Sequence, residues 1–272
     1  MDILRLAVLI SGRGSNLQAL IDACKTPGFP ARIAVVISNT PDAQGLERAA
    51  AAGIPAMIVD HTYFKGNKDG FENTIADIAE GHGANFVALA GFMRILGPTF
   101  LGRFKDRVIN IHPSLLPKHK GLNVHEAVLK AGDTQSGCSV HVVTTGMDEG
   151  EVIAQTTVPV KPGDTAQTLA ARILIEEHAL YPAVIRQIAE GLVKIRDGHV
   201  ERPGKVAQNS SVKKEPEKPS MSHDHVHSST PSVADPEAIK HSQLMWHNFT
   251  RATTLAGGLI AVALILMAIF LV

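Results

Sequence analysis

The chain has 272 residues, 26 Lys and Arg balanced by 26 Asp and Glu, and 45% hydrophobic residues. That length holds one large domain or two small ones, with chain enough for a sizeable core. Zero formal charge argues against a nucleic-acid binder held by phosphate contacts, and two cysteines, Cys24 and Cys138, are too few for a disulfide framework, so the chain reads as reduced and intracellular.

The first apolar run, at 6–10, is strand-length and opens straight into a Gly-rich turn, unlike a signal peptide. Further Val/Ile/Leu/Ala runs at 33–37, 86–90 and 108–111 are continuous, as expected for parallel strands covered on both faces. Helical patterns lie at 17–23, 43–52, 71–80 and 124–131. Two later strands, at 139–143 and 152–158, are expected, and they alternate, as Ser139-Val140-His141-Val142 does, which suits a less buried edge. The longest helical pattern, 166–190, contains Tyr181-Pro182 and is expected to kink there. Alternating β and α elements predict an α/β fold with a wound, mainly parallel sheet over residues 1–200.

The remainder changes character. Residues 201–235 are K/E/P/S/H sequence with almost no large apolar side chains and read as a disordered linker. An internal Met221 begins a stretch with His223, His225 and His227, which reads as solvated tail in preference to a metal site. A juxtamembrane segment, 236–253, leads into the uncharged run 254–272, which at about 19 residues approaches the ~20 that a membrane-spanning helix needs. At about 1.5 Å per residue it reaches ~28 Å. Trp246 is a candidate interfacial anchor, and Lys240 and Arg251 bias the upstream side to the cytoplasm. The expectation is a cytoplasmic catalytic domain anchored to the inner membrane by a C-terminal transmembrane helix; a buried core helix is the alternative.

Three places carry chemistry. After the first strand, Ser11-Gly12-Arg13-Gly14-Ser15-Asn16 forms a tight turn into a helix, where unpaired N–H groups can hold a phosphate. Capping of that helix by Ser15 or Asn16 is the alternative. The loop is neither a Walker loop nor a full G-x-G-x-x-G, since Leu17 stands at the third glycine position, so a dinucleotide is not favoured. In the second place, Val108-Ile109-Asn110-Ile111-His112-Pro113 puts an amide inside an apolar parallel strand and an imidazole at its carboxyl end, where wound sheets bind ligands. Third, the turn Met147-Asp148-Glu149-Gly150 offers a carboxylate that, beside His112, would raise its pKa and keep it protonated. An ordinary turn role for Asp148 stays open.

These stretches, with Ala90-Gly91-Phe92-Met93-Arg94-Ile95-Leu96, His112-Pro113-Ser114-Leu115-Leu116-Pro117 and Glu177-His178-Ala179-Leu180-Tyr181-Pro182, resemble phosphoribosylglycinamide formyltransferases of purine biosynthesis, in order and spacing, over about residues 4–197. The resemblance implies a Rossmann-like formyltransferase fold and 10-formyltetrahydrofolate as co-substrate, with no metal. It implies that Gly14, Ser15 and Asn16 hold the substrate phosphate and that Glu177 contacts the ribosyl part. Met93, Arg94, Ile95 and Leu96 would line the folate pocket, with Lys68 near the folate tail and Asn110 also in reach. Asn110, His112 and Asp148 would be the catalytic group. Lys68 stands where relatives often carry arginine, keeping charge but losing bidentate geometry. Cys138 stands where threonine is common and is not expected to be a nucleophile. Other formyltransferases, such as those acting on methionyl-tRNA, share His-Pro-Ser-Leu-Leu-Pro but add a folded tRNA-binding domain. The tail from Met221 resembles the small fourth subunit of bacterial cytochrome c oxidase, which implies association with a respiratory oxidase; its internal Met suggests two joined reading frames.

Overall fold

The computed structural model of the chain describes residues 3–202. The expected His-bearing stretch, juxtamembrane segment and transmembrane helix lie outside those residues, as does the linker beyond its first two. Among the described residues no helix is long and apolar enough to cross a membrane.

Seven strands form one sheet: β1 (Leu4–Ile10), β2 (Ala31–Ser38), β3 (Ala56–Ile58), β4 (Phe86–Leu89), β5 (Val108–His112), β6 (Gln135–Val142) and β7 (Val152–Pro159), in the order β3-β2-β1-β4-β5-β6-β7. The first five are parallel, and β6 and β7 each pair antiparallel with the strand before. The helices are α1 (Ser15–Lys25), α2 (Gly45–Ala51), α3 (Lys68–Gly81), α4 (Pro98–Arg103), α5 (Val124–Ala131) and α6 (Ala166–Ala189). A small hairpin, β8 (Lys194–Arg196) and β9 (His199–Glu201), follows, so Glu201 closes a strand instead of opening a linker.

Alternate residues of β1 explain its unbroken apolar run. Leu6, Val8 and Ile10 pack with Leu17 and Ile21 of α1 and Tyr181 and Ile185 of α6. Ala7 and Leu9 face the other way, into a core with Phe71 and Ile75 of α3 and Phe100 of α4. Both faces of the sheet are therefore dry. Since β2 lies on one side of β1 and β4 on the other, the segments after β1 and β4 diverge and open a crevice at the strand ends.

Two expectations about strands need correction. The less buried edge expected of the two later strands holds for β7, which ends the sheet, and fails for β6, where every residue after Gln135 is buried. The alternation in β6 comes from polar side chains satisfied internally, as when Ser139 Oγ donates to the Ser114 carbonyl at 2.5 Å and accepts from Leu116 N–H at 3.1 Å. Asn110 likewise sits in a mixed setting, parallel to β4 on one side and opposite His141 of antiparallel β6 on the other.

Helix α6 begins with a reciprocal capping box between Thr165 and Thr168 and continues through Pro182 to Ala189. The buried Tyr181 hydroxyl donates to the Leu89 carbonyl at 2.9 Å and lies 3.3 Å from that of Ile109, which pins α6 over β4 and β5. Glu177, one turn earlier, is thereby carried to the crevice.

Candidate active site

The turn after β1 is built by a close approach. Gly14 has φ 68° and precedes α1 as its N-cap, and a Cβ there would lie 2.7 Å from Gly45 Cα. Gly45 N–H donates to the Gly12 carbonyl at 3.0 Å, and Arg48 Nε donates to that of Arg13 at 2.9 Å, so α2 braces the loop from behind. No side chain caps α1. The capping alternative for Ser15 and Asn16 therefore fails, which leaves the first turn of α1 without a side-chain acceptor, as an anion site would need. The Asn16 side chain turns instead to α6, where Nδ2 donates to Glu177 Oε2 at 2.7 Å. Burial pushes the Glu177 carboxyl above its ordinary range, with the Asn16 hydrogen bond pulling only partly back.

At the end of β5, His112 is 5% exposed and held at both nitrogens. Nε2 lies 2.9 Å from the His119 carbonyl, which can only accept, so that nitrogen carries a proton. Nδ1 lies 3.3 Å from Asp148 Oδ2. Asp148 sits in its turn at φ 53°, accepts from Gly121 N–H at 2.9 Å and reaches within 3.5 Å of His141 Nε2. It is thus both a turn residue and part of this cluster. Asn110 joins through His141, with Nδ2 3.2 Å from His141 Nε2. Asn110, His112 and Asp148 are brought together, with His141 between the outer two.

The protonation expected of His112 is corrected by its surroundings. Burial lowers its pKa below the ordinary 6.5 and outweighs the upward pull of the His119 carbonyl and of Asp148. For Asp148, burial pushes up, whereas the hydrogen bonds with His141 and Gly121 pull down, and the carboxyl ends below its ordinary 3.8. The free site therefore holds a carboxylate beside an imidazole that is neutral near pH 7.

The segment after β4 forms the opposite lip. Met93 and Ile95 are exposed, as is Arg94, whereas Leu96 is buried in the core with Phe100. Two polar anchors hold this segment. Met93 N–H donates to Ser11 Oγ at 2.8 Å, and Gly97 N–H donates to the buried Glu72 carboxylate at 2.6 Å. Lys68 Nζ lies 3.5 Å from the same carboxylate with its side chain 57% exposed, so it flanks this lip. Cys138 is fully buried and its thiol is pushed up to about 12, mainly by burial, which keeps it neutral.

The sequence profile of the formyl transferase family matches residues 4–185. The chain belongs to the formyl transferase family. It is 40% identical over 211 residues to phosphoribosylglycinamide formyltransferase of Haemophilus influenzae, covering 78% of this chain and 99% of that one. It is also 47% identical over 191 residues to the bovine trifunctional purine biosynthetic protein adenosine-3, covering 70% of this chain and 19% of that protein. The chain thus spans about a fifth of its trifunctional relatives. Among solved structures, glycinamide ribonucleotide transformylase 1 of Symbiobacterium toebii superposes with a TM-score of 0.71 at 44% identity, covering 74% of this chain and 94% of that one.

In this formyl transferase, sequence reasoning missed His141, Ser11, Gly121 and the His119 carbonyl. The first two had a signal. His141 alternates with Ser139 on β6, and Ser11 opens the Gly-rich turn. Gly121 and His119 act through backbone atoms, which no side-chain pattern announces.

Proposed function

We propose that this formyl transferase moves the formyl group of 10-formyltetrahydrofolate to the amine of phosphoribosylglycinamide in purine biosynthesis. The observation that carries the reading is the Asp148–His112 contact at the carboxyl end of β5, with Asn110 alongside through His141. Near-complete coverage of the Haemophilus influenzae relative supports it.

The chemistry follows from these groups. The substrate amine attacks the formyl carbon and a tetrahedral intermediate forms, its carbonyl oxygen becoming an oxyanion. Asn110 keeps an amide N–H for that oxygen, and losing one such donor typically costs about 10²–10³ in rate. His112, neutral in the free site with its proton on Nε2, takes the proton the amine sheds on Nδ1, beside Asp148, whose charge stabilises the imidazolium so formed. The same proton then passes to the folate nitrogen as its bond to the formyl carbon breaks, a role worth roughly 10²–10⁴. The route is direct and needs no covalent enzyme intermediate. Gly14, Ser15 and Asn16 take the phosphate, Glu177 the ribosyl part, and Met93, Arg94 and Ile95 with Lys68 and the backbone at Leu96 the folate side.

A separate proposal concerns the tail: residues 254–272 anchor the catalytic domain on the cytoplasmic side of the inner membrane and associate with a respiratory oxidase. Its support is composition and the resemblance of residues from Met221. Immunoblots of fractionated cells test it. A band near 29.0 kDa in membranes supports the anchor, and a shorter band only in the soluble fraction opposes it. For the activity, the full chain is assayed with 10-formyltetrahydrofolate and either phosphoribosylglycinamide or methionyl-tRNA. Formylation of the ribonucleotide alone is expected; formylation of the tRNA alone favours the other family branch.

A further inference from the structure

The residue that hands its carbonyl to His112 is itself held by a side-chain cluster outside the site described above. His119 has φ 53°, a left-handed conformation unfavourable for a side chain bearing a Cβ. Its ring Nε2 lies 2.7 Å from Asp133 Oδ2, and Lys118 Nζ lies 3.3 Å from the other oxygen of that carboxylate. Ser114 Oγ donates to the Lys118 carbonyl at 2.7 Å. Asp133 stands just beyond α5, where its own N–H donates to the Val128 carbonyl at 3.3 Å, so it is fixed to a rigid element. The segment from Ser114 to His119 is therefore staked at its far end by one carboxylate, and the strained residue of that segment delivers the acceptor for the His112 ring. A cavity of about 390 Å³ lies beside the segment, lined by Lys118, His119, Asp133 and Ser136. Without the tether there is room for the His119 ring to move.

We propose that Asp133 is a positioning residue for formyl transfer: by gripping the His119 ring it keeps the His119 carbonyl on His112 Nε2 and so fixes the orientation of the imidazole. This rests on the function proposed above. The carbonyl stabilises the protonated ring, and other groups face that ring too: Asp148 and His141 from the β6–β7 side and His125 from α5. Removing the tether subtracts one upward influence and leaves the others.

The test uses the full chain, with Asp133→Ala and the pair His119→Gly and His119→Ala. Asp133→Ala is expected to lower kcat about tenfold, the scale of a small misplacement of a reacting group, with KM for the ribonucleotide little changed. The pKa of His112, followed by NMR of its ring, is expected to fall in the same variant. His119→Gly, which adopts positive φ freely, is expected to retain more activity than His119→Ala. Wild-type kcat and an unmoved His112 titration in Asp133→Ala would overturn the proposal, even if Tm fell. Absence of formyl transfer in the unmutated chain would sink the functional reading instead, and the His112 titration would still decide the role of Asp133.

Discussion

Asn16 and Glu177 stand 161 residues apart in the chain and meet through a hydrogen bond of 2.7 Å between Nδ2 and Oε2. That contact joins the turn after β1 to the middle of α6, so the two places expected to read the ribonucleotide form one wall. Glu177→Ala is expected to free Asn16 and raise KM for phosphoribosylglycinamide about 10- to 100-fold, the worth of a hydrogen bond to a charged group. Glu177→Gln keeps an acceptor for Asn16 and should lie between the two. Steady-state kinetics with each substrate varied separately checks this, and an equal rise in KM for the folate would contradict it.

The glycine at 14 carries a sharper expectation. A Cβ there meets Gly45 Cα at 2.7 Å, and the φ of 68° is strained for any other residue. Gly14→Ala should cost about 1–2 kcal/mol from conformation alone and displace the loop. Binding of the ribonucleotide, measured by calorimetry, is expected to weaken, while folate binding holds.

Tyr181→Phe tests how α6 is seated. Its hydroxyl is fully buried and donates to the Leu89 carbonyl, so its loss is expected to cost about 1–3 kcal/mol and lower Tm. Turnover at 25 °C should remain close to that of the unmutated chain, because Tyr181 packs beneath the crevice and faces no substrate group. An unchanged Tm contradicts the role given to this contact.

Acid should destabilise the fold in a defined window. Burial lowers the pKa of His112, His125 and His178 below 6.5. A base with a depressed folded pKa favours its neutral form in the fold. Its stabilising contribution is therefore complete above about pH 6.5 and lost as pH falls through the folded values. Glu177, raised by burial, acts in the opposite sense, since its neutral form is favoured as pH falls. Scanning calorimetry is expected to show Tm falling from about pH 7 to pH 5, and more steeply in Glu177→Gln. A Tm that rises over that range contradicts the account.

Much of this arrangement was legible in the residues, for physical reasons. Strands buried on both faces leave unbroken apolar runs, so β1, β2, β4 and β5 stood out, and the polar interruption at Asn110 marked the site. β3 did not stand out, because three exposed residues, Ala56, Met57 and Ile58, carry no periodicity. α4 starts on Pro98 and spans six residues, too short to show a helical repeat. The alternation of β6 was visible but pointed the wrong way, since Ser139 and His141 face a hydrogen-bonded interior and not water. Least legible was the charge state of His112: sequence supplies the neighbouring carboxylate, whereas the degree of burial that outweighs it exists only in the fold.

The central claim is that the Asp148–His112 pair performs proton transfer in formyl transfer, and Asp148→Asn tests it most directly. In the full chain, kcat for formylation of phosphoribosylglycinamide is expected to fall roughly 10²- to 10⁴-fold while both substrates still bind, as judged by calorimetry. Near-normal turnover in that variant would contradict the account.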